Sequence, residues 1–519
     1  MAFGNTFTFE HWDKYERESR IALVCGDRSC TYGELRHAIE SFAEELYGLG
    51  VREGDHVAIW AFSSINWIVA YYATIRIGGI ATLVNFNLLP NNVVPLLELT
   101  HTNFLIYGDV VARRDDPRAA DELLEAAHID PARSFDMAVK DVDLVVRYKD
   151  VPLQGSHAVD FDGTETACIV FSSGTTGLPK AVELSRNSLV QNAYASYSPY
   201  VRNNPIDKNR TFLVPPLFHV FGLVGQAVHL GVGATVVIPQ GGSAQELISL
   251  MKRFDFDDML AVTPIYLMLT NDESFSPDIA PNLLRCAVAG GFSTKEQLVD
   301  LESRFKQAKF YNTYGLTEFA CIAQPSPEDS VDLRFSSLGK AAPGVEVRIV
   351  GHDGEVLPAN VPGEVVAHGT GLTNGYMGLG PEEQPYDAEG WLHTGDMGYL
   401  NEDGYLFLVG RMKEIIIRGG ENIAPSEVRA ELLHLPNVAD AVVMGMPHPV
   451  FGESVEAFVT LEDPSVPFDE EAAKEALKKE LARFKIPSHI FVRESIPMIS
   501  IGKPNLRALK ADMAKLIGS

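Results

Sequence analysis

Apolar and polar positions alternate along this chain in two rhythms. "TYGELRHAIESFAEELYGLG" carries apolar residues at helical spacing and closes on glycine, which predicts a helix. "DHVAIWAF" reads as a buried strand, "NWIVAYYATIRIGG" as a helix ending at Gly78 and Gly79, and "IATLVNF" and "THTNFLIYG" as two more strands. The alternation resumes from about residue 165 to 325. There "ACIVFSS", "NRTFLVPP", "GATVVIP", "DMLAVTP" and "LLRCAVAGG" predict strands, and "SRNSLVQNAYASY", "AQELISLMKRF" and "TKEQLVDLESRF" predict helices. Such alternation predicts parallel sheets covered by helices. The two stretches therefore predict two similar α/β subdomains, one in the first 160 residues and one beyond 165.

From about residue 335 the strands shorten and turns multiply. "VEVRIV", "GEVVAHG" and "GYLFLVG", with "HDGE" and "EDGY" between them, predict a small antiparallel sheet. After "GRMKEIIIRGGENIAP" the pattern becomes a compact α+β unit. "PSEVRAELLHL" and "DEEAAKEALKKELARF" predict its helices, and "DAVVMGM" and "VEAFVTL" its strands. The boundary falls near Gly410–Lys413, giving an N-terminal domain over 1–410 and a C-terminal domain over 411–519.

Composition narrows the function classes. With 519 residues the chain exceeds one ordinary core. Its 46% hydrophobic and 22% charged content is that of a soluble globular protein. The net charge is −26, which repels nucleic acid and anionic membrane surfaces and removes both as expected partners. Five cysteines, Cys25, Cys30, Cys168, Cys286 and Cys321, are scattered without metal-ligand spacing and read as buried reduced thiols. The stretch "MAFGNTFTFEHWDKYERESR" has no apolar run of signal-peptide type. "NWIVAYYATIRIGGIATLV" is interrupted by Arg76 and a Gly-Gly pair, so it reads as a buried helix entering a strand and not a membrane span. A cytoplasmic protein is expected.

Candidate chemistry begins at "FSSGTTGLPK", Phe171 to Lys180. Its glycines and hydroxyls suit an anion-binding loop. It is not a Walker A loop: counting from Gly174, Pro179 stands where glycine is required and Ala181 follows Lys180. Taken alone it could equally be a turn after a buried strand. Further stretches join it: "VPPLFHVFG" (214–222), "AVAGG" (287–291), "YNTYGLTE" (311–318), "WLHTGDMGYL" with Asp396, "GYLFLVGRMKEII" with Arg411 and Lys413, and "ISIGKPNLR" with Lys503.

In order and spacing these stretches resemble the adenylate-forming superfamily: acyl-CoA synthetases, peptide-synthetase adenylation domains and firefly luciferase. The resemblance runs from "TYGELR" to "GKPNLR". It implies an α/β fold with a large N-terminal domain of two helix-covered parallel-sheet subdomains and a small β subdomain, followed by a small mobile α+β domain. It implies ATP, Mg²⁺ and CoA as cosubstrates and cofactor, a small carboxylic acid as substrate, and is compatible with a homodimer.

By the same resemblance Ser172, Ser173, Gly174, Thr175, Thr176, Gly177 and Lys180 cradle the β- and γ-phosphates. Glu318, beside Thr317, is the Mg²⁺ ligand, a hard oxygen donor for a hard cation. Tyr314 stacks on adenine, and Gly290, Gly291, Asn312 and Gly315 line the nucleotide pocket. Asp396 accepts the ribose hydroxyls, as acidic residues do in other nucleotide sites. Arg411 contacts ribose or phosphate. Lys503 stabilises the charge gathering on the α-phosphate. Its surroundings, "PMISIGKPNLR", depart from the usual T-x-x-G-K pattern at Ile501 and Pro504, which puts the loop geometry in doubt. Lys413 is the hinge, and Gly419 and Gly420 suit the passage of a narrow pantetheine arm.

The acyl pocket is expected at His219, Val220, Phe221, Tyr266 and Phe292, with Phe218 nearby. Amino-acid-activating relatives carry an aspartate where His219 stands, so an amino-acid substrate is disfavoured and a fatty or aromatic acid favoured. His219 is assigned to orienting the carboxylate or gating the tunnel, with a packed core histidine as the structural alternative. The expected reaction is acyl-AMP formation with release of pyrophosphate, then transfer to the CoA thiol. The alternative acceptor is a carrier-protein phosphopantetheine. Arg483 and Lys485 are candidates for the CoA nucleotide, but "LARFKIP" suits either acceptor.

Overall fold

Short apolar runs pair over long distances to make two seven-stranded sheets. The computed structural model describes residues 19–108, 119–137, 143–152, 157–159, 162–172, 179–201, 210–290, 293–418, 421–500 and 503–518, with backbone alone at 119, 197–201, 413, 421–422, 499–500 and 503.

The first sheet runs in the order Gly375–Tyr376, Lys180–Ser185, Thr166–Ser172, Ile80–Leu83, His56–Trp60, Phe104–Tyr107, Ser134–Asp136. Its last five strands are parallel, while Lys180–Ser185 and Gly375–Tyr376 join antiparallel. The second sheet runs Lys309–Asn312, Arg285–Val288, Asp258–Ala261, Arg210–Leu213, Thr235–Ile238, Ile21–Cys25, Arg28–Thr31. It is parallel except for the terminal hairpin.

Two α/β sheets are thus present, but they are not divided at residue 160. Ile21–Thr31 belongs to the second sheet and Thr166–Ser185 to the first. Local periodicity marks a strand without naming its neighbour, and that neighbour is chosen by the core the strand closes. Here one apolar core holds side chains from both sheets and from the helices Tyr32–Gly48, Ile65–Arg76 and Val220–Gly231. Ile65–Arg76 is buried nearly all round, as an apolar helix between layers must be. Tyr72 donates to Gln226 Oε1 at 3.1 Å, tying this helix to Val220–Gly231. At the start of Tyr32–Gly48, Thr31 and Glu34 form a reciprocal capping box, which explains why the helix begins there.

The third sheet is antiparallel: Val345–Val350, Gly363–Gly369, Leu392–Leu400, Leu406–Arg411. The next strand, Ile416–Arg418, enters the C-terminal five-stranded sheet with Glu421–Ile423, Gly452–Leu461, Val438–His448 and His489–Val492. The chain changes sheets within residues 412–415. All five cysteines are buried, and burial pushes the Cys168 and Cys321 thiols up to about 12. Among the described residues no helix is long and apolar enough to cross a membrane, and no group of three or more His, Cys, Asp or Glu could hold a metal.

Candidate active site

In parallel α/β sheets ligands collect in the crevice beyond the carboxyl ends of the strands. Four parallel strands of the second sheet carry candidate site loops at that end. Arg210–Leu213 leads into residues 214–219, Asp258–Ala261 into Val262, Arg285–Val288 into Gly290, and Lys309–Asn312 into Thr313. Gly290 has φ +83°, a left-handed turn that favours glycine. Asn312 closes its strand, and Thr313 N–H donates to the Val288 carbonyl at 2.8 Å.

His219 is the N-cap of Val220–Gly231, and its backbone N–H donates to Pro216 O at 3.1 Å. A Cβ on Gly222 would lie 2.3 Å from that same carbonyl, so only glycine lets the helix start this close to the loop. The His219 ring lies 4.4 Å from Phe218, which meets Phe86 edge-on at 5.2 Å. Val220 and Phe221 are half-buried against the main core. Leu217 N–H donates to Ser63 Oγ at 3.0 Å, fastening this loop to the first sheet.

Tyr266 must be withdrawn from the acyl pocket. It is fully buried, packs at 4.9 Å against Phe310, and its hydroxyl lies in reach of the Met259 and Ala287 carbonyls at 2.9 and 3.2 Å. A ring so surrounded, with its hydroxyl spent on two strands, belongs to the core of the second sheet. Its position after an apolar strand suited a pocket residue equally well, and the direction of its side chain decided otherwise.

The "YNTYGLTE" stretch folds into a tight turn. Leu316 N–H donates to Phe319 O at 2.9 Å, and Tyr314 N–H to Ala323 O at 2.9 Å. A Cβ on Gly315 would sit 2.1 Å from the Ala320 carbonyl oxygen, which requires glycine. One end of the turn carries Tyr314, whose hydroxyl donates to Asp396 Oδ2 at 2.7 Å. Arg411 Nε meets Asp396 Oδ1 at 2.8 Å across the Leu392–Leu400/Leu406–Arg411 strand pair. Asp396 is only 4% exposed, and burial holds its carboxyl above the usual aspartate range, opposed by Arg411 and the Tyr314 hydroxyl. Each carboxylate oxygen accepts more than one bond, so the group keeps capacity for ligand hydroxyls.

The other end of the turn carries Glu318, next to the half-buried Thr317. Its Oε1 accepts from Tyr376 at 2.6 Å, and the Lys180 ammonium lies 4.1 Å from the centre of the Tyr376 ring. Burial and the Glu318 charge push the Tyr376 phenol well up, so it stays a donor at neutral pH. Ser172 and Lys180 are direct partners in the antiparallel pair that the "FSSGTTGLPK" loop connects. Thus the strand ends of that loop, the expected magnesium carboxylate and Tyr376 meet at one place. Tyr376 was not expected from the sequence. It lies 58 residues from Glu318, and the only signal was a glycine-flanked tyrosine in "TNGYMG".

Ser173, Gly174, Thr175, Thr176, Gly177, Gly291, Phe292, Gly419 and Gly420 lie outside the described residues. Lys413 falls in the short turn Met412–Glu414 between sheets. Lys503 begins a two-residue strand paired with Met498–Ser500. Arg483 and Lys485 share one short 3-10 turn, and Lys485 Nζ pairs with Glu427 Oε2 at 2.8 Å.

Comparison with known proteins identifies the family. Residues 9–377 match the AMP-binding enzyme family and residues 427–503 the AMP-binding enzyme C-terminal domain, so the chain belongs to the AMP-binding, adenylate-forming family. It is similar to oxalate–CoA ligase of Arabidopsis thaliana, 32% identical over 94% of each chain. It is also similar to o-succinylbenzoate CoA synthetase of Bacillus subtilis, solved with its acyl-adenylate intermediate: 27% identity, TM-score 0.80, covering 95% of this chain and 96% of that one. ATP-bound MatB from Rhodopseudomonas palustris shares the fold at 22% identity with TM-score 0.88, over 98% and 99% of the two chains. The chain is accordingly an AMP-forming ligase, and CoA ligases of this family use ATP, Mg²⁺ and CoA.

Proposed function

We propose that this protein is an ATP-dependent carboxylate–CoA ligase acting on a fatty or aromatic acid. The observation that carries the reading is the pair of polar clusters on one turn: Tyr314–Asp396–Arg411 at one end and Glu318–Tyr376–Lys180 at the other. Asp396 accepts the ribose hydroxyls of ATP, and Glu318 supplies a hard oxygen to Mg²⁺. Lys180 and the loop before it hold the β- and γ-phosphates. The acid carboxylate attacks the α-phosphorus and pyrophosphate leaves, with Lys503 meeting the charge that develops there. The CoA thiolate then attacks the acyl carbon and AMP leaves. Splitting the reaction replaces a poor leaving group, hydroxide, with a good one.

His219 at the helix N-terminus orients the carboxylate or gates its entry. The half-buried Val220 and Phe221 beside it offer an apolar wall, which supports a fatty or aromatic acid. The CoA ligase names of two relatives support CoA as acceptor.

The test is pyrophosphate release over a panel of fatty, aromatic and dicarboxylic acids with ATP and Mg²⁺, with and without CoA. Release dependent on a fatty or aromatic acid, yielding AMP and an acyl-CoA, is expected. Activation of that acid without any acyl-CoA would move the acceptor to a carrier-protein phosphopantetheine. Release with dicarboxylic acids alone would overturn the substrate class.

A further inference from the structure

Asp396 does not sit on a regular strand. Between Gly363–Gly369 and Leu392–Leu400, Glu364 pairs with Met397 but Val366 pairs with His393. One strand advances 366 − 364 = 2 residues while the other advances 397 − 393 = 4. The surplus is a β-bulge at residues 394–396. Bulges beside active sites re-aim a side chain, and this one delivers Asp396 to Tyr314 and Arg411.

Glu364 holds the bulge from the partner strand. Its Oε1 accepts the Gly395 N–H at 3.0 Å, and its Oε2 meets His393 Nδ1 at 2.8 Å. Gly395 takes φ +69°, the left-handed conformation that turns the chain toward Asp396. Thr394 Oγ1 donates to Val365 O at 2.7 Å and accepts from Asp396 N–H at 3.1 Å. The residue preceding the bulge and the residue at its centre are therefore tied to one carboxylate on the neighbouring strand. That carboxylate bonds the residue immediately before the proposed ribose acceptor.

We infer that Glu364 is a positioning residue for ribose recognition, acting through the Gly395 N–H and the bulge that presents Asp396. The inference rests on the reading of Asp396 as ribose acceptor. A purely structural Glu364 would set the stability of the hairpin and leave nucleotide selectivity unchanged.

The test needs no knowledge of the acid. Calorimetric titration of the full-length protein with ATP, 2′-deoxy-ATP and 3′-deoxy-ATP, each with Mg²⁺, gives two affinity ratios. Loss of a hydrogen bond to a charged group weakens binding about tenfold or more, so wild type is expected to bind each deoxynucleotide at least about tenfold more weakly than ATP. Asp396→Ala should bind all three within about twofold of one another. Glu364→Ala should also level the three, while Glu364→Gln, which keeps an acceptor for Gly395, should retain most of the discrimination. Glu364→Asp withdraws the carboxylate by one methylene and replaces the alanine variant if that does not fold, with the same levelling expected. Wild type or Asp396→Ala behaving otherwise would remove the ribose reading and the inference with it. Levelling in Asp396→Ala with full discrimination in Glu364→Ala or Glu364→Asp would overturn the positioning role alone.

Discussion

Replacing Tyr314 by Phe removes a single hydroxyl and keeps the ring. That hydroxyl donates to Asp396 Oδ2 at 2.7 Å, and the two residues are 7% and 4% exposed. Water cannot readily substitute there, so the loss needs no discount for solvent. A hydrogen bond to a charged group contributes about 1.5–3 kcal/mol. Unfolding entropy is about 2.1 cal/mol/K per residue, or roughly 0.8 kcal/mol/K for an N-terminal unit of about 400 residues. The midpoint of its thermal transition should therefore fall by about 2–4 °C. The sign of the pH dependence follows from Asp396. Its carboxyl is already held above the usual aspartate range by burial, and the Tyr314 hydroxyl opposes that shift. A folded pKa raised above the unfolded one contributes stability below the unfolded value that is lost as pH rises through the folded value. Phe raises the folded value further and enlarges that loss. The deficit against wild type should thus be smaller at an acid pH, where more of the carboxyl is protonated, than at pH 8, where it reaches its full size. Scanning calorimetry of both proteins at both pH values measures it. A deficit that shrinks as pH rises, or none at either pH, would refute the assignment of this hydroxyl to a buried carboxylate.

Other residues give equally direct outcomes. Tyr376→Phe removes the donor to Glu318, and with the ring retained under Lys180 the expected effect is about a tenfold change in the Mg²⁺ dependence of ATP binding, read by titration at fixed ATP. Gly315→Ala places a methyl 2.1 Å from the Ala320 carbonyl oxygen; backbone cannot yield that far, so stability should fall by about 3 kcal/mol or more and nucleotide affinity should drop with it, as thermal melting and ATP titration will show. Lys503→Ala should abolish acid-dependent ATP–pyrophosphate exchange yet largely spare thioester formation from supplied acyl-AMP; equal loss of both half-reactions would remove the role proposed for this lysine.

Much of the architecture was legible locally. Thr31 and Glu34 mark a helix start within one turn, alternating apolar runs mark strands, and the order of short polar stretches from Phe171 to Lys503 points to adenylation chemistry. These features depend on neighbours a few residues away, and a chain records such neighbours in its order. The steric need for glycine at 315, set by the Ala320 carbonyl, was not legible.

What the order could not record is direction and partnership across long separations. Ile21–Cys25 pairs with Thr235–Ile238, and Gly375–Tyr376 joins Lys180–Ser185, because those edges complete buried layers. Tyr266 turned into the core where its hydroxyl could meet two carbonyls, while Tyr376 turned toward Glu318. Glu364 became the support of Asp396 only when a bulge brought Gly395 beneath it. Periodicity determines which residues can be strand or helix. Which side chains then converge depends on how whole sheets pack, since burial of apolar surface is non-directional and only the assembled core selects among the pairings it permits.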